Sequence, residues 1–148
     1  MAPRSAAERK ADTLALLASE KDVWVATAGA DGRAHLVPLS LWWDGESATV
    51  TTTANSPTTR NATASGQARL AVGTTRDVVV IDTSVEVVPT AAAPPEVRTG
   101  FVARCGWDPE DNDGEWVYLR LCPQRVQAWR EADEIGGRTL MRDGRWRV

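Results

Sequence analysis

The stretch that decides the fold is residues 23–86, which read VWVATAGADGRAHLVPLSLWWDGESATVTTTANSPTTRNATASGQARLAVGTTRDVVVIDTSVE. Two Asp-Gly pairs, at residues 31–32 and 44–45, divide its first part into β-branched and apolar runs. Asp-Gly favours the tight turns of β-hairpins, because glycine readily adopts a positive φ. The stretch therefore predicts three successive antiparallel strands, at residues 23–28, 33–43 and 47–53.

A short helix is predicted directly after the third strand. Ser56 is a preferred N-cap, and Pro57 suits the first helical position because its missing N–H would be unpaired there anyway. Gly66 stands where a left-handed residue ends a helix. The third strand is rich in hydroxyls and leads into a helix start, whose free N–H groups favour an anion. This segment is therefore a candidate phosphate site.

The rest of the chain completes a mainly β pattern with a few helices. A helix is predicted over residues 5–19, because Ser5 can cap it and Glu8 stands three positions later. The other predicted elements are strands at residues 68–73, 77–88, 115–122 and 125–130 and a helix at residues 96–105. Short strands with hairpin signals predict one domain over residues 1–148, built as a six- to seven-stranded antiparallel barrel. An Arg-rich tail at residues 131–148 follows the last strand.

Composition narrows the class of protein. The chain has 148 residues, of which 43% are hydrophobic and 25% charged, as in ordinary globular domains. Its net charge of −3 gives no electrostatic case for a nucleic-acid partner. No apolar run approaches the length of a membrane span, and the N-terminus lacks the pattern of a secretory signal. These features predict a cytoplasmic protein with no membrane partner.

The sequence offers no metal site. Cys105 and Cys122 are the only cysteines and form no C-x-x-C pair, so buried reduced thiols are expected. The acidic loop at residues 107–114 looks like a calcium loop at first. Setting Gly114 at the sixth position of such a loop puts Pro109 first and Arg120 twelfth, and both ligand positions fail. A solvated acidic turn is the better interpretation.

Four pieces of the chain together resemble a known family. They are VWVATAGADGRAHLVPLSLWW, TTTANSPTTRN, ARLAVG and the tail GRTLMRDGRW, in that order. Their order and spacing are similar to the flavin-binding split β-barrels, which include pyridoxamine 5′-phosphate oxidases and the flavin/deazaflavin oxidoreductases of actinobacteria. The resemblance covers about residues 12–148. It implies a split β-barrel of the FMN-binding type.

The resemblance also implies a homodimer with the cofactor in a groove between two barrels. The cofactor would be FMN or the deazaflavin coenzyme F-420, both of which carry a phosphate at the end of a polyol-like chain. The implied positions are Thr51, Thr52 and Thr53 near the ring or ribityl chain, and Ser56, Thr58, Thr59, Arg60 and Asn61 near the phosphate. The residues support this independently, since hydroxyls can donate to phosphate oxygens and arginine offers a planar charged fork.

Two differences from the family pattern limit how far the family's site residues can be assigned to this chain. Many relatives carry a lysine two residues before the position of Arg60, where the present chain has Thr58. One positive charge is therefore missing from the expected phosphate site, and Arg33 or Arg76 could help Arg60 to bind the phosphate. The substrate-binding Arg and His residues typical of true pyridoxamine phosphate oxidases are also not evident. His35, the only histidine, is interpreted as a partly exposed strand residue.

The sequence is therefore compatible with two functions. The first is an oxidoreductase that moves a hydride between FMN or F-420 and a small-molecule substrate, the cofactor carrying the reactivity. The second is a non-catalytic module that binds or sequesters a flavin or haem-like ligand on the same fold.

Trp42 and Trp43 should point to opposite faces of their strand and pack in the core or an interface. The tail arginines are expected to pair with a dimer partner, to cover the groove or to lie in solvent.

Overall fold

The two predicted Asp-Gly turns form the first hairpins of the protein. In the computed structural model, which describes residues 1–148, Gly32 and Gly45 have φ values of 81° and 103°. They connect β1 (Asp22–Ala28), β2 (Ala34–Trp43) and β3 (Ala48–Thr53), which pair antiparallel in sequence order.

Three further strands close the sheet into a barrel. They are β4 (Gln67–Thr74), β5 (Asp77–Pro89) and β6 (Trp116–Arg130). The order of the strands is β3-β2-β1-β4-β5-β6, and β6 also pairs with β3, so six antiparallel strands form a closed ring. The short strands β7 (Thr139–Arg142) and β8 (Arg145–Trp146) extend the sheet beyond β6. The prediction of a mainly β antiparallel barrel is confirmed.

The sequence prediction of two separate strands at residues 115–122 and 125–130 is wrong, because both belong to β6. The strand continues through Pro123, and its register with β5 shifts between Asp82 and Thr83. Asp82 faces Arg125 while Thr83 faces Pro123, which leaves Gln124 as the extra residue of a bulge. A bulge bends a strand without ending it, and it absorbs a proline that cannot donate to the ladder.

Three helices cover the barrel. Helix α1 (Ala6–Ser19) begins at the predicted capping box, in which the N–H of Glu8 donates to Ser5 Oγ at 3.2 Å and the N–H of Ser5 donates to Glu8 Oε2 at 2.7 Å. Helix α2 (Pro57–Ser65) follows β3, and helix α3 (Pro95–Cys105) packs against the outside of β2. None of these helices is both long and apolar enough to cross a membrane.

The core lies inside the barrel and has a smaller apolar cluster outside it. Val25, Leu41, Leu70 and Leu119 are among the inward residues with 0–1% exposure. Outside, α3 packs on β2 and β6, and this second cluster is formed by Val97, Phe101 and Tyr118 with Trp42 against them. Trp43 instead packs against the barrel core, so the prediction that the two tryptophans point to opposite faces is confirmed.

Candidate functional site

The candidate site is the junction between β3 and α2. Ser56 has an extended backbone (φ −69°, ψ 156°), and its Oγ accepts a hydrogen bond from the N–H of Thr59 at 3.1 Å. Pro57 occupies the first turn, and Gly66 ends the helix in the left-handed region with φ 68°. The predicted cap and stop of this helix are confirmed, because each is a local signal that needs no distant contact.

A chain of hydroxyl contacts fixes the shape of this junction. The Oγ of Ser56 lies 3.1 Å from Oγ1 of Thr59, which donates to the carbonyl oxygen of Thr53 at 2.8 Å. Thr52 Oγ1 donates to Ser56 Oγ at 3.4 Å. The hydroxyl hydrogens of Thr52 and Thr59 are therefore engaged within the junction. Their main effect is to hold the end of β3 against the start of α2.

Three of the predicted threonines are buried, and Thr59 is one of them with 5% exposure. Thr58 is 1% exposed and Thr51 is 2% exposed. Thr51 faces Tyr118 on β6, and its Oγ1 donates to the carbonyl oxygen of Val117 at 2.8 Å. Burial raises the pKa of Tyr118 to about 12, so this phenol stays protonated at neutral pH. Thr51 thus lies in the packed layer beneath α3, while Thr52 and Thr53 are partly exposed.

Arg60 and Asn61 leave the junction in different directions. Arg60 is exposed, its Nη1 donates to the carbonyl oxygen of Asn55, and it has no carboxylate partner. Asn61 Nδ2 donates to Oγ1 of Thr27 on β1 at 3.1 Å, which ties α2 to the barrel. Arg60 is therefore the one charged group that the junction presents to solvent.

The backbone of the first turn of α2 leaves one N–H unpaired. The N–H of Thr59 donates to Ser56 Oγ, and that of Arg60 donates to the Ser56 carbonyl oxygen at 3.0 Å. Pro57 has no N–H, which leaves the N–H of Thr58 without a hydrogen-bond partner. Because Thr58 is only 1% exposed, the features that favour an anion at this point are the helix dipole and the exposed Arg60.

His35 lies near this site but does not join it. It is half-buried on β2 and faces Thr27 across the β1–β2 ladder, on the same side as Val37. No hydrogen bond connects it to α2.

The structure brings together no group of three His, Cys, Asp or Glu side chains that could hold a metal ion. The acidic loop is instead organised by Asp108, which pairs with Arg98 at 2.6 Å.

Sequence reasoning missed an exposed apolar face on the outside of the barrel. Trp24 is 50% exposed and Leu36 is 59% exposed, and both project outward from the paired strands β1 and β2. The register places Pro38 opposite Trp24 and Ala26 opposite Leu36. The signal was available in part, since strict alternation places Trp24 on the opposite face from the buried Val23 and Val25.

A separate cavity lies away from this junction. It has a volume of about 810 Å³ and is located between α1 and the strands β1 and β4, with Leu16, Trp24 and Ala71 in its wall. None of the eight candidate residues lines it. The β3–α2 junction is thus an open surface site.

Comparison with solved structures shows the same architecture. An F420 reductase is 21% identical, with a TM-score of 0.62, covering 76% of this chain and 93% of that one. A Listeria innocua protein described as a candidate pyridoxamine 5′-phosphate oxidase is 11% identical, with a TM-score of 0.65, covering 80% and 96%. The haem storage protein HutZ from Vibrio cholerae is 16% identical, with a TM-score of 0.64, covering 82% and 94%. At these identities the likeness is one of fold.

Comparison with sequences gives the family. No curated protein sequence matches the chain. Residues 10–130 match the family model for pyridoxamine 5′-phosphate oxidase, which covers all six strands of the barrel and the β3–α2 junction. The chain therefore belongs to the pyridoxamine 5′-phosphate oxidase family of split β-barrels.

Proposed function

We propose that this protein is a homodimeric oxidoreductase that binds FMN or coenzyme F-420 and transfers a hydride between the cofactor ring and a small molecule. The observation that carries the proposal is the start of α2, where the exposed Arg60 has no carboxylate partner. Membership of the pyridoxamine 5′-phosphate oxidase family supports it. The free thiols of Cys105 and Cys122 fit a reducing compartment such as the cytoplasm.

The phosphate of the cofactor would lie at the first turn of α2. Arg60 would bind two of its oxygens through the guanidinium fork, beside the positive end of the helix dipole. Ser56 and Thr59 would hold this turn in shape through their mutual contact at 3.1 Å. Asn61 would fix the helix to β1 through Thr27. The missing lysine makes Arg60 the principal source of positive charge at this turn.

The ring and its chain would lie along the end of β3. Thr52 and Thr53 are partly exposed there and can contact the ligand, while the buried Thr51 supports them from the layer below. When bound, the cofactor supplies the hydride chemistry itself. The residues of the junction bind and orient it, and none needs to act as a nucleophile.

A second copy of the chain would complete the groove. The exposed Trp24 and Leu36 form an apolar outer face that a single copy leaves in water. Large apolar side chains at such a face are typical of protein interfaces. A dimer that covers Trp24 and Leu36 would also enclose a cofactor lying against the barrel.

The test is a fluorescence titration of purified, ligand-free protein with FMN and, separately, with F-420. We expect saturable binding of one in preference to the other. Binding of neither would contradict the proposal. Size-exclusion chromatography with light scattering checks the dimer, and a monomer at micromolar concentration would contradict that part.

Binding without turnover is the second candidate function. The eight candidate residues include one ionisable side chain, Arg60, and no carboxylate or histidine that could move a proton. This composition suits a protein that holds or sequesters a flavin or haem-like ligand. Steady oxidation of reduced cofactor by an added acceptor would exclude the binding-only function, whereas stoichiometric binding without turnover would favour it.

A further inference from the structure

A groove lined by arginines lies between β6 and the C-terminal strands. It has a volume of about 640 Å³, and no carboxylate lines it. None of the residues of the β3–α2 junction contributes to it. We call it the arginine groove, and its polar walls are formed by Arg125, Gln127, Arg138, Thr139, Arg142 and Arg147.

The backbone places these side chains around the arginine groove. Gln127 pairs with Thr139 across β6 and β7, and Arg125 lies two positions earlier on the outer face of β6. Arg142 ends β7, and the N–H of Arg147 donates to the carbonyl oxygen of Leu140 at 2.8 Å. The last turn of the chain is therefore folded back on β7, which brings its arginine to the groove.

One arginine is held in place by its surroundings. The guanidinium of Arg138 lies 5.4 Å from the ring centre of Trp129, and its Nη1 donates to the carbonyl oxygen of Ile135 at 3.0 Å. Stacking on an aromatic ring leaves the edge of the guanidinium free to bind oxygens. Arg138 is thus oriented in advance at the wall of the groove.

The other three arginines have no partner of any kind. The side chains of Arg125, Arg142 and Arg147 make no hydrogen bond and no ion pair. Asp82 faces Arg125 across β5 and β6, but it is bound by Arg69 at 2.5 Å. In the segment after β6, Glu131 pairs with Arg76 and Glu134 with Arg4, whereas Asp133 and Asp143 form no ion pair and do not line the groove.

This distribution of charge is unusual for an acidic chain. The protein has 20 carboxylates against 17 basic side chains, so counter-charges are plentiful elsewhere. Four guanidinium groups around one space repel one another, and solvent ions screen this only in part. A bound anion would remove the repulsion and gain charge-assisted hydrogen bonds.

We infer that the arginine groove binds a small polyanion, a molecule with two or more phosphate or carboxylate groups. Guanidinium groups bind both kinds of group through paired N–H···O bonds. The groove volume is within the range of small-molecule sites. Strand β7 is four residues long, about 13 Å, which suits a compact ligand rather than an extended polymer.

The experiment is calorimetric titration of the dilute, cofactor-free full chain in a buffer without phosphate at low salt. Tripolyphosphate and citrate are titrated separately. The test variant combines Arg142→Gln with Arg147→Gln, and the matched control is Arg145→Gln, since Arg145 is exposed on β8 but does not line the groove. Thermal melting of each variant checks that the fold is retained.

We expect saturable binding that weakens by about tenfold or more in the double variant and is unchanged in Arg145→Gln. Preference for tripolyphosphate would identify a phosphorylated ligand, and preference for citrate a polycarboxylate; both support the inference. Failure of both anions to saturate would overturn it, as would an equal loss in Arg145→Gln, which would mean diffuse attraction to the tail. The result does not depend on the proposed cofactor site, which titration with FMN and F-420 tests separately.

Discussion

Arg4 and Glu134 form an ion pair that joins the two ends of the chain. The Nη2 of Arg4 lies 2.9 Å from Oε2 of Glu134, and its Nε lies 3.1 Å from Oε1. Glu134 is only 2% exposed and also accepts the N–H of Arg4 at 2.8 Å and of Arg130 at 2.6 Å. A buried carboxylate with this many donors fixes the segment after β6 to the N-terminus.

Arg4→Ala should lower the free energy of unfolding by about 2–3 kcal/mol. The substitution removes the guanidinium but leaves both backbone N–H donors, so Glu134 remains buried with part of its compensation lost. Urea denaturation followed by tryptophan fluorescence measures the change. Arg145→Ala is the control, because Arg145 is exposed and unpaired. Equal stability of the two variants would contradict the role of the ion pair.

The same carboxylate should make stability depend on pH in acid. Hydrogen bonds from Arg4 lower the pKa of Glu134 from 4.5 to about 2. A lowered pKa in the folded state contributes stability that is fully present above pH 4.5 and is lost as the pH falls towards 2. Denaturation between pH 5 and about 2.5 should therefore show a smaller slope in Glu134→Gln than in the parent chain. Parallel pH profiles would contradict this prediction.

Local signals in the sequence predicted much of the barrel. Gly32 and Gly45 mark turns that require a positive φ, and Ser56 and Gly66 bound α2 through contacts within a few residues. The bulge at Gln124 was missed, because a break in β6 and a bulge in it look alike until the partner strand is known. The resemblance to a family added the split form of the barrel, which local patterns do not encode.

The candidate site was predicted as a segment but not in its detail. The residues from Thr51 to Asn61 do lie together, since they are contiguous in the chain. Sequence could not reveal that Thr51 and Thr58 are buried or that the hydroxyl of Thr59 is engaged by Thr53. The Arg4–Glu134 pair, 130 positions apart, left no local trace at all.

Ser56→Ala should lower stability by about 1 kcal/mol. The hydroxyl of Ser56 accepts the N–H of Thr59, and alanine leaves that donor unpaired at the start of α2. Ser56→Asn is the matched control, because asparagine is an equally good N-cap. Chemical denaturation compares the three proteins. A loss as large in Ser56→Asn as in Ser56→Ala would mean that the contact with Thr59 Oγ1, rather than capping, is the stabilising feature.

Gly100→Ala should lower stability by about 1–3 kcal/mol. A Cβ at this position of α3 would lie 2.2 Å from Cζ2 of Trp42, and a ring packed on the barrel cannot move away as a flexible chain would. Gly136→Ala is the control, since nothing lies within 4 Å of its Cβ position. Thermal melting measures both. Equal melting temperatures would show that α3 can shift on the barrel without loss.

Arg60→Ala should weaken cofactor affinity by about 1.5–3 kcal/mol, the scale of a charge-assisted bond. Because Arg60 is exposed and contacts only the carbonyl of Asn55, the melting temperature of the free protein should change little. Arg60→Lys should retain part of the affinity, since lysine keeps the charge but not the planar fork. Fluorescence titration with the cofactor that binds the parent chain measures all three proteins. Full affinity in Arg60→Ala would show that the phosphate site lies away from α2. Arg33 and Arg76 would then be the next positions to substitute.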